Sequence, residues 1–187
     1  SDLSHCIYIS ENKQGVADEL IVRNSTIRTS RFEGHLIKSR ALKTVIENDV
    51  LSSLDGQNIR EIDIPQGGTV IIKNNVIEKG PASENWDMIG IALEPQFGIR
   101  KDNDTLVENN WLIFDRPHGL LVSNRSPGPV RFINNKIVGL ASPAPVVEQL
   151  RGPKGMGQNV QANGNKLFAT RAAAGLAPYP MLPAAMK

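Results

Sequence analysis

The sequence predicts an all-β fold, a right-handed parallel β-helix of about six to seven coils. Three observations predict it: two interleaved ladders of repeated phrases, a step common to both, and asparagines at what read as strand corners. The first ladder is an apolar strand, an Asn, usually a second small polar residue, and an apolar residue three positions after the Asn. It runs through IVRNSTI at Asn24, VIENDVL at Asn48, IIKNNVI at Asn74, LVENNWL at Asn109, RFINNKI at Asn134 and a weaker QANGNKL at Gly164, in steps of 24, 26, 35, 25 and 30 residues. The second lies between them, through CIYIS at Ile7, LIKS at Ile37, EIDIP at Ile62, MIGIAL at Ile89, GLLVS at Leu120 and PVVEQ at Val146, in steps of 30, 25, 27, 31 and 26. Two ladders sharing a mean step of about 28 residues are the signature of stacked supersecondary units.

Each phrase reads as strand because apolar and polar residues alternate over a short run and Val and Ile dominate. No long segment carries a helical period, which excludes helical repeats, and the tight hairpins of propeller blades are missing, while a β-sandwich stays open because short strands and turns are common to all such folds. Asn suits the corner because its short amide tolerates the left-handed conformation and bonds local backbone. Stacked on successive coils, the same side chains are expected to hydrogen-bond as a ladder.

Composition narrows the function classes. The 187 residues with 40% hydrophobic content can bury a continuous core, and 21 Lys plus Arg against 19 Asp plus Glu offer no electrostatic case for nucleic acid. The apolar runs are too short for a membrane span, so no membrane insertion is expected. The single Cys6 rules out an internal disulfide framework or a cysteine-based zinc cluster. Residues 1–168 are expected to form the β-helix with no visible N-terminal cap, and the Ala- and Pro-rich 169–187 to form a tail or end cap. A trimmed form is expected from Ser1-Asp2-Leu3 running straight into a strand, with a secreted or periplasmic location. Exposed ends make end-to-end or side-by-side self-association an expectation. The long step after Asn74 places extra loop at Gly80 to Asn85 and Phe97 to Asp104, expected to project from one side, and Pro143 to Pro145 with Gly152 to Gly157 read as a further loop.

Alternation points Ile7, Ile37 and Ile62 inward and Tyr8, Lys38 and Asp63 outward, stacked across coils about 4.8 Å apart, with Glu61 and Arg40 in neighbouring outward positions. Trp86, Trp111 and Tyr8 are the aromatic rings available to stack on sugars. The histidines, His5, His35 and His118, come from three coils and read as corner or core packing. Glu61, Asp63, Glu33 and Glu84 carry oxygen ligands, but no tight acidic loop organises them.

The first ladder and the coil length resemble the pectate-lyase-like superfamily of right-handed parallel β-helices over roughly Ser4 to Phe168. The string GHLIKSRALKTVIENDVL followed by EIDIPQGGTVIIKNNVIEKG is similar to bacterial β-helix repeat proteins. The IKS strand also resembles the VKS-like strand of polysaccharide lyases of the chondroitinase B and alginate lyase type. That resemblance implies an acidic polysaccharide as substrate and Lys38 as the base that takes the proton α to a uronate carboxylate. It implies calcium as cofactor, with Glu33 at one ligand position and Arg31 standing where the other acid belongs. The family's catalytic Arg aligns near Pro65, which leaves Arg40, Arg60, Tyr8 or His35 as the acid, and Asp63, Glu61 and Trp86 as substrate contacts. Two functions compete: a lyase cleaving by β-elimination, and a noncatalytic sugar-binding or structural module in which Lys38 and Asp63 are a surface ion pair.

Overall fold

A computed structural model describes residues 4–11, 15–30, 32–140, 150–151 and 160–185. The first coil contains β1 (Ile7–Ile9), β2 (Glu19–Arg23) and β3 (Thr26–Arg28), and the second β4 (His35–Ser39), β5 (Lys43–Glu47) and β6 (Val50–Ser52). The third contains β7 (Arg60–Ile64), β8 (Thr69–Lys73) and β9 (Val76–Lys79), and the fourth β10 (Asp87–Ile91), β11 (Asp104–Glu108) and β12 (Trp111–Phe114). The fifth contains β13 (Leu120–Asn124), β14 (Val130–Ile133) and β15 (Lys136–Val138), and the last β16 (Leu150–Arg151), β17 (Val160–Asn163) and β18 (Lys166–Phe168). Every third strand pairs in parallel, giving three six-stranded sheets: sheet 1 from β1 to β16, sheet 2 from β2 to β17 and sheet 3 from β3 to β18. The winding is a parallel β-solenoid of about five turns, fewer than the six to seven coils expected, because six strands in a sheet are separated by five steps. Among the described residues the helical structure is confined to one 3-10 turn, Pro95–Phe97, and no helix is long and apolar enough to cross a membrane.

One apolar column of each sheet runs through the middle of the core. Ile37, Ile62, Ile89 and Val122 form it in sheet 1, Ile46, Ile72, Val107 and Phe132 in sheet 2, and Leu51, Ile77, Leu112 and Ile137 in sheet 3, all fully buried. Full burial of such a side chain contributes about 1.5–3 kcal/mol, so the columns are the main cohesive element along the axis. In one place the expected register is corrected. Leu120 pairs with Asp87, and it is Val122 that continues the column from Ile89 to Leu150. Val146, the Pro143 to Pro145 stretch, Gly152 to Gly157 and the Ser1 to Leu3 start lie outside the described residues.

The asparagine corner divides its work between two neighbours. Asn24, Asn48, Asn74, Asn109 and Asn134 all have φ between 54° and 59°, with Gly164 at 67°, as the left-handed corner requires. The side-chain ladder belongs to the residue after each of them. Asn75 Nδ2 donates to Asn110 Oδ1, Asn110 to Asn135 and Asn135 to Asn165, each at 3.0 Å, and the same oxygens accept the backbone N–H of the preceding rung. Towards the N-terminus Asp49 takes the rung and accepts from Ser25 N at 2.7 Å. Side chains at the corner itself are exposed or half-buried, whereas the next position turns inward, where a complete set of hydrogen bonds is required.

The tail folds against the side of the solenoid. Ala174, Leu176 and Leu182 pack on Val76, Ile113 and Val138 of sheet 3, beside Val50, Trp111 and Phe168. Arg171 forms a two-point ion pair with Asp115 at 2.6 and 2.5 Å, and Tyr179 donates to Asp55 at 2.7 Å.

Candidate functional site

Two loops frame the outer face of sheet 1. The 80–86 segment leads from sheet 3 into β10, and 92–103 leads from β10 to sheet 2. They flank sheet 1 at its two corners, and the second returns over it, as the contacts of Glu94 and Phe97 show. Glu94, at the head of the Pro95–Phe97 turn, is anchored by its N–H to Pro65 O at 3.0 Å. Its carboxylate reaches Lys38 Nζ at 2.7 Å and also binds Arg40. Phe97 from the same turn sits under the Arg40 guanidinium, 5.1 Å from ring centre to Cζ.

Beneath these groups the expected stack is present: Tyr8 pairs in register with Lys38, and Lys38 with Asp63. The next positions in that outer column are Gly90 and Ser123. Lys38 Nζ lies 3.5 Å from Asp63, so it sits between two acidic side chains. Asp63 also faces Arg60 at 3.6 Å and His35 Nε2 at 3.4 Å, and Arg60 Nε donates to Asp87 at 2.6 Å. Although it points outward, Asp63 is only 2% exposed, a departure from the expected surface position. Burial raises its pKa, against the pull of Arg60 and Lys38. Burial also acts on Glu94, but there the hydrogen bonds from Lys38 and Arg40 outweigh it and hold the carboxyl below its ordinary value.

His35 and His5 meet, which their positions on different coils did not suggest. Their rings stack at 5.1 Å and 1°, and His5 Nδ1 accepts from His35 N at 2.9 Å. Burial, with Arg60 and Lys38 nearby, lowers the His35 pKa to about 2. The 3.4 Å contact with Asp63 therefore joins a neutral imidazole to a carboxylate rather than forming an ion pair. His35 is 4% exposed, which closes it to a polymer. Tyr8, by contrast, is 45% exposed, donates to Ser10 Oγ and accepts from Arg40 Nε, both at 3.3 Å. Burial pushes its pKa up, but the hydrogen bonds to Ser10 and Arg40 prevail and lower it.

Glu61 is the clearest correction. Expected outward, it is fully buried, as are Leu36, Met88 and Leu121 at the positions before the other core-column residues of sheet 1. It accepts from Asn58 at 2.9 Å and Ser53 at 3.0 Å and lies 3.4 Å from Lys79, itself fully buried. Such a closed cluster satisfies a buried charge and leaves nothing to offer a substrate.

Further along sheet 1 the face opens into a groove of about 480 Å³. Arg60, Asn85, Asp87, Ser123 and Arg125 supply its polar lining, with Trp86, Leu93 and Leu120 completing it. Trp86 is 54% exposed and its indole tilts against His118, with ring centres 6.0 Å apart. Gly90 keeps the column low beside the groove. A Cβ there would lie 2.9 Å from Arg60 Cδ, Asp63 Oδ1 and Leu93 Cδ1.

Glu33 is exposed in the turn before β4, and Arg31 lies outside the described residues. Among the described residues no three His, Cys, Asp or Glu side chains are gathered to hold a metal ion. The donor set around Glu33 thus does not fit the calcium site that the lyase resemblance implied. Sequence reasoning missed Glu94 and Arg125 altogether; for Glu94 the one available signal was the extra length between Asn74 and Asn109, which marks loops with room to return, and for Arg125 there was none. In comparison with known proteins, no family model, no curated protein and no solved structure matches the chain, so kinship with pectate-lyase-like or chondroitinase-type proteins has no support beyond the β-solenoid itself.

Proposed function

We propose that the outer face of sheet 1 is a binding surface for an acidic polysaccharide or oligosaccharide. The groove carries this reading: an exposed indole and an exposed guanidinium border one open channel, offering a stacking platform for a sugar ring and a fork for a carboxylate. Lys38, Arg40 and Tyr8 extend the polar surface along the same column. Titration calorimetry against polyuronates and glycosaminoglycan fragments, with dextran as the neutral control, tests it. Binding to acidic chains that is lost in Trp86→Ala is expected, and no heat from any acidic chain would end the proposal.

Cleavage by β-elimination is a second reading, favoured by the exposed Tyr8 phenol receiving Arg40 Nε. The local resemblance makes Lys38 the base. The geometry favours Tyr8 for that role, since Lys38 is already held by Glu94 and Asp63. An unsaturated uronate product, followed by its ultraviolet absorbance and abolished in Tyr8→Phe, supports the lyase; binding without any such product leaves a noncatalytic module.

A further inference from the structure

The charges on sheet 1 are distributed unevenly, and this bears on which acidic chain fits. Lys38, Arg40 and Arg60 face Asp63, Asp87 and Glu94, so three cations meet three carboxylates at 2.6 to 3.6 Å and in the shorter Arg40–Glu94 contact. Arg125 differs. It is exposed, borders the groove, and among the described residues its guanidinium has no hydrogen-bond or ion-pair partner. Its backbone N–H is tied to Ile91 O at 2.9 Å, which fixes the base of the side chain.

We infer that Arg125 is, among the described side chains, the anion-reading position of this face, and that the ligand is a saccharide carrying a carboxylate on alternate sugars rather than on every one. This rests on the saccharide reading of sheet 1. Lys38 and Ser123 are three strand spacings apart in one column, roughly 14 Å. Among the described side chains, a chain extended along that column meets free positive charge only at the Arg125 end. At the other end it passes over groups whose charges already cancel. A carboxylate there has to compete with Glu94 for Lys38 and Arg40, or lie against it as a like charge. A neutral sugar in the same place meets hydrogen-bond donors and acceptors without that penalty. The guanidinium fork suits one carboxylate held by two parallel bonds.

The test compares hyaluronan fragments, which carry a carboxylate on alternate sugars, with oligogalacturonate of equal length, which carries one on every sugar, by titration calorimetry with the intact chain. Hyaluronan fragments are expected to bind about tenfold more tightly or better, on the scale of one charge-assisted hydrogen bond. Arg125→Ala, an exposed change, is expected to erase that preference, and Arg125→Lys to restore only part of it. Equal or tighter binding of oligogalacturonate, or a preference unchanged in Arg125→Ala, overturns the inference while leaving the saccharide surface standing. Absence of binding by both acidic ligands overturns the two together.

Discussion

Sheets 1 and 3 are built from the same parallel ladder, yet one presents an open polar face and the other is sealed by the protein's own tail. The outer columns make the difference. On sheet 3 they hold Val50, Val76 and Trp111 in one row and Ile113, Val138 and Phe168 in another, apolar surface that gains by being covered. On sheet 1 the corresponding column is Tyr8, Lys38, Asp63, Gly90 and Ser123, which loops partly cover but leave grooved. The lesson is that a solenoid wall is neutral scaffolding, and the outward residue of every second position decides whether it becomes a site or an interior.

The largest expected effect breaks the seal. Asp115→Ala leaves Arg171, about one-tenth exposed in its ion pair, without its counter-charge, and loss of a partner in a largely buried pair costs about 3–5 kcal/mol. Urea unfolding is expected to show that loss, and limited proteolysis to cut first within 169–185, while saccharide binding at sheet 1 is retained. Simultaneous loss of both would show that the two faces are not independent.

The pH dependence sharpens the contrast, because each face carries a group strongly shifted within the ordinary pH range. Glu78, under the tail and near Asp115, is raised by burial from 4.5 to about 8, so the folded state binds the extra proton and stability falls as pH rises through that window. His35, on sheet 1, is lowered from 6.5 to about 2, so the unfolded state binds the extra proton and stability rises from pH 2 to 6.5. Thermal melts across pH should pass through a maximum between these limbs. Glu78→Gln is expected to flatten the alkaline limb alone, and His35→Asn the acid limb alone.

Smaller effects follow on sheet 1. Glu94→Gln should cost about 1 kcal/mol, since its pairs with Lys38 and Arg40 are partly exposed, and should raise hydrogen exchange in the 92–103 loop. Trp86→Ala, at an exposed ring, is expected to change stability by less than about 0.5 kcal/mol. A larger change in melting would mark Trp86 as a packing residue and weaken its role as a sugar platform.

Much of the winding was legible because its information is local and repeated. The Asn24 to Asn134 corners were found from the tolerance of asparagine for positive φ, and the Ile7, Ile37, Ile62 and Ile89 column from alternation alone. Reading Leu120 for Val122 was an off-by-two error, which alternation cannot detect because it assigns both residues the same side, although Leu120 in fact lines the groove. Glu61 misled for a different reason: alternation assigns a side, and only the arrival of Lys79, Asn58 and Ser53 makes burial of a carboxylate tolerable there. Glu94 is separated from Lys38 by 56 residues, and no period links them.

By itself, then, the amino-acid order determined the strand type, the corner chemistry and the stacking of coils, since propensity and repetition act between near neighbours and equivalent positions. Tertiary structure alone decided which face stayed open. The return of the 92–103 loop over Lys38 and the docking of 169–185 on sheet 3 depend on charge and apolar area meeting across distant coils, and such encounters exist only once the backbone is wound.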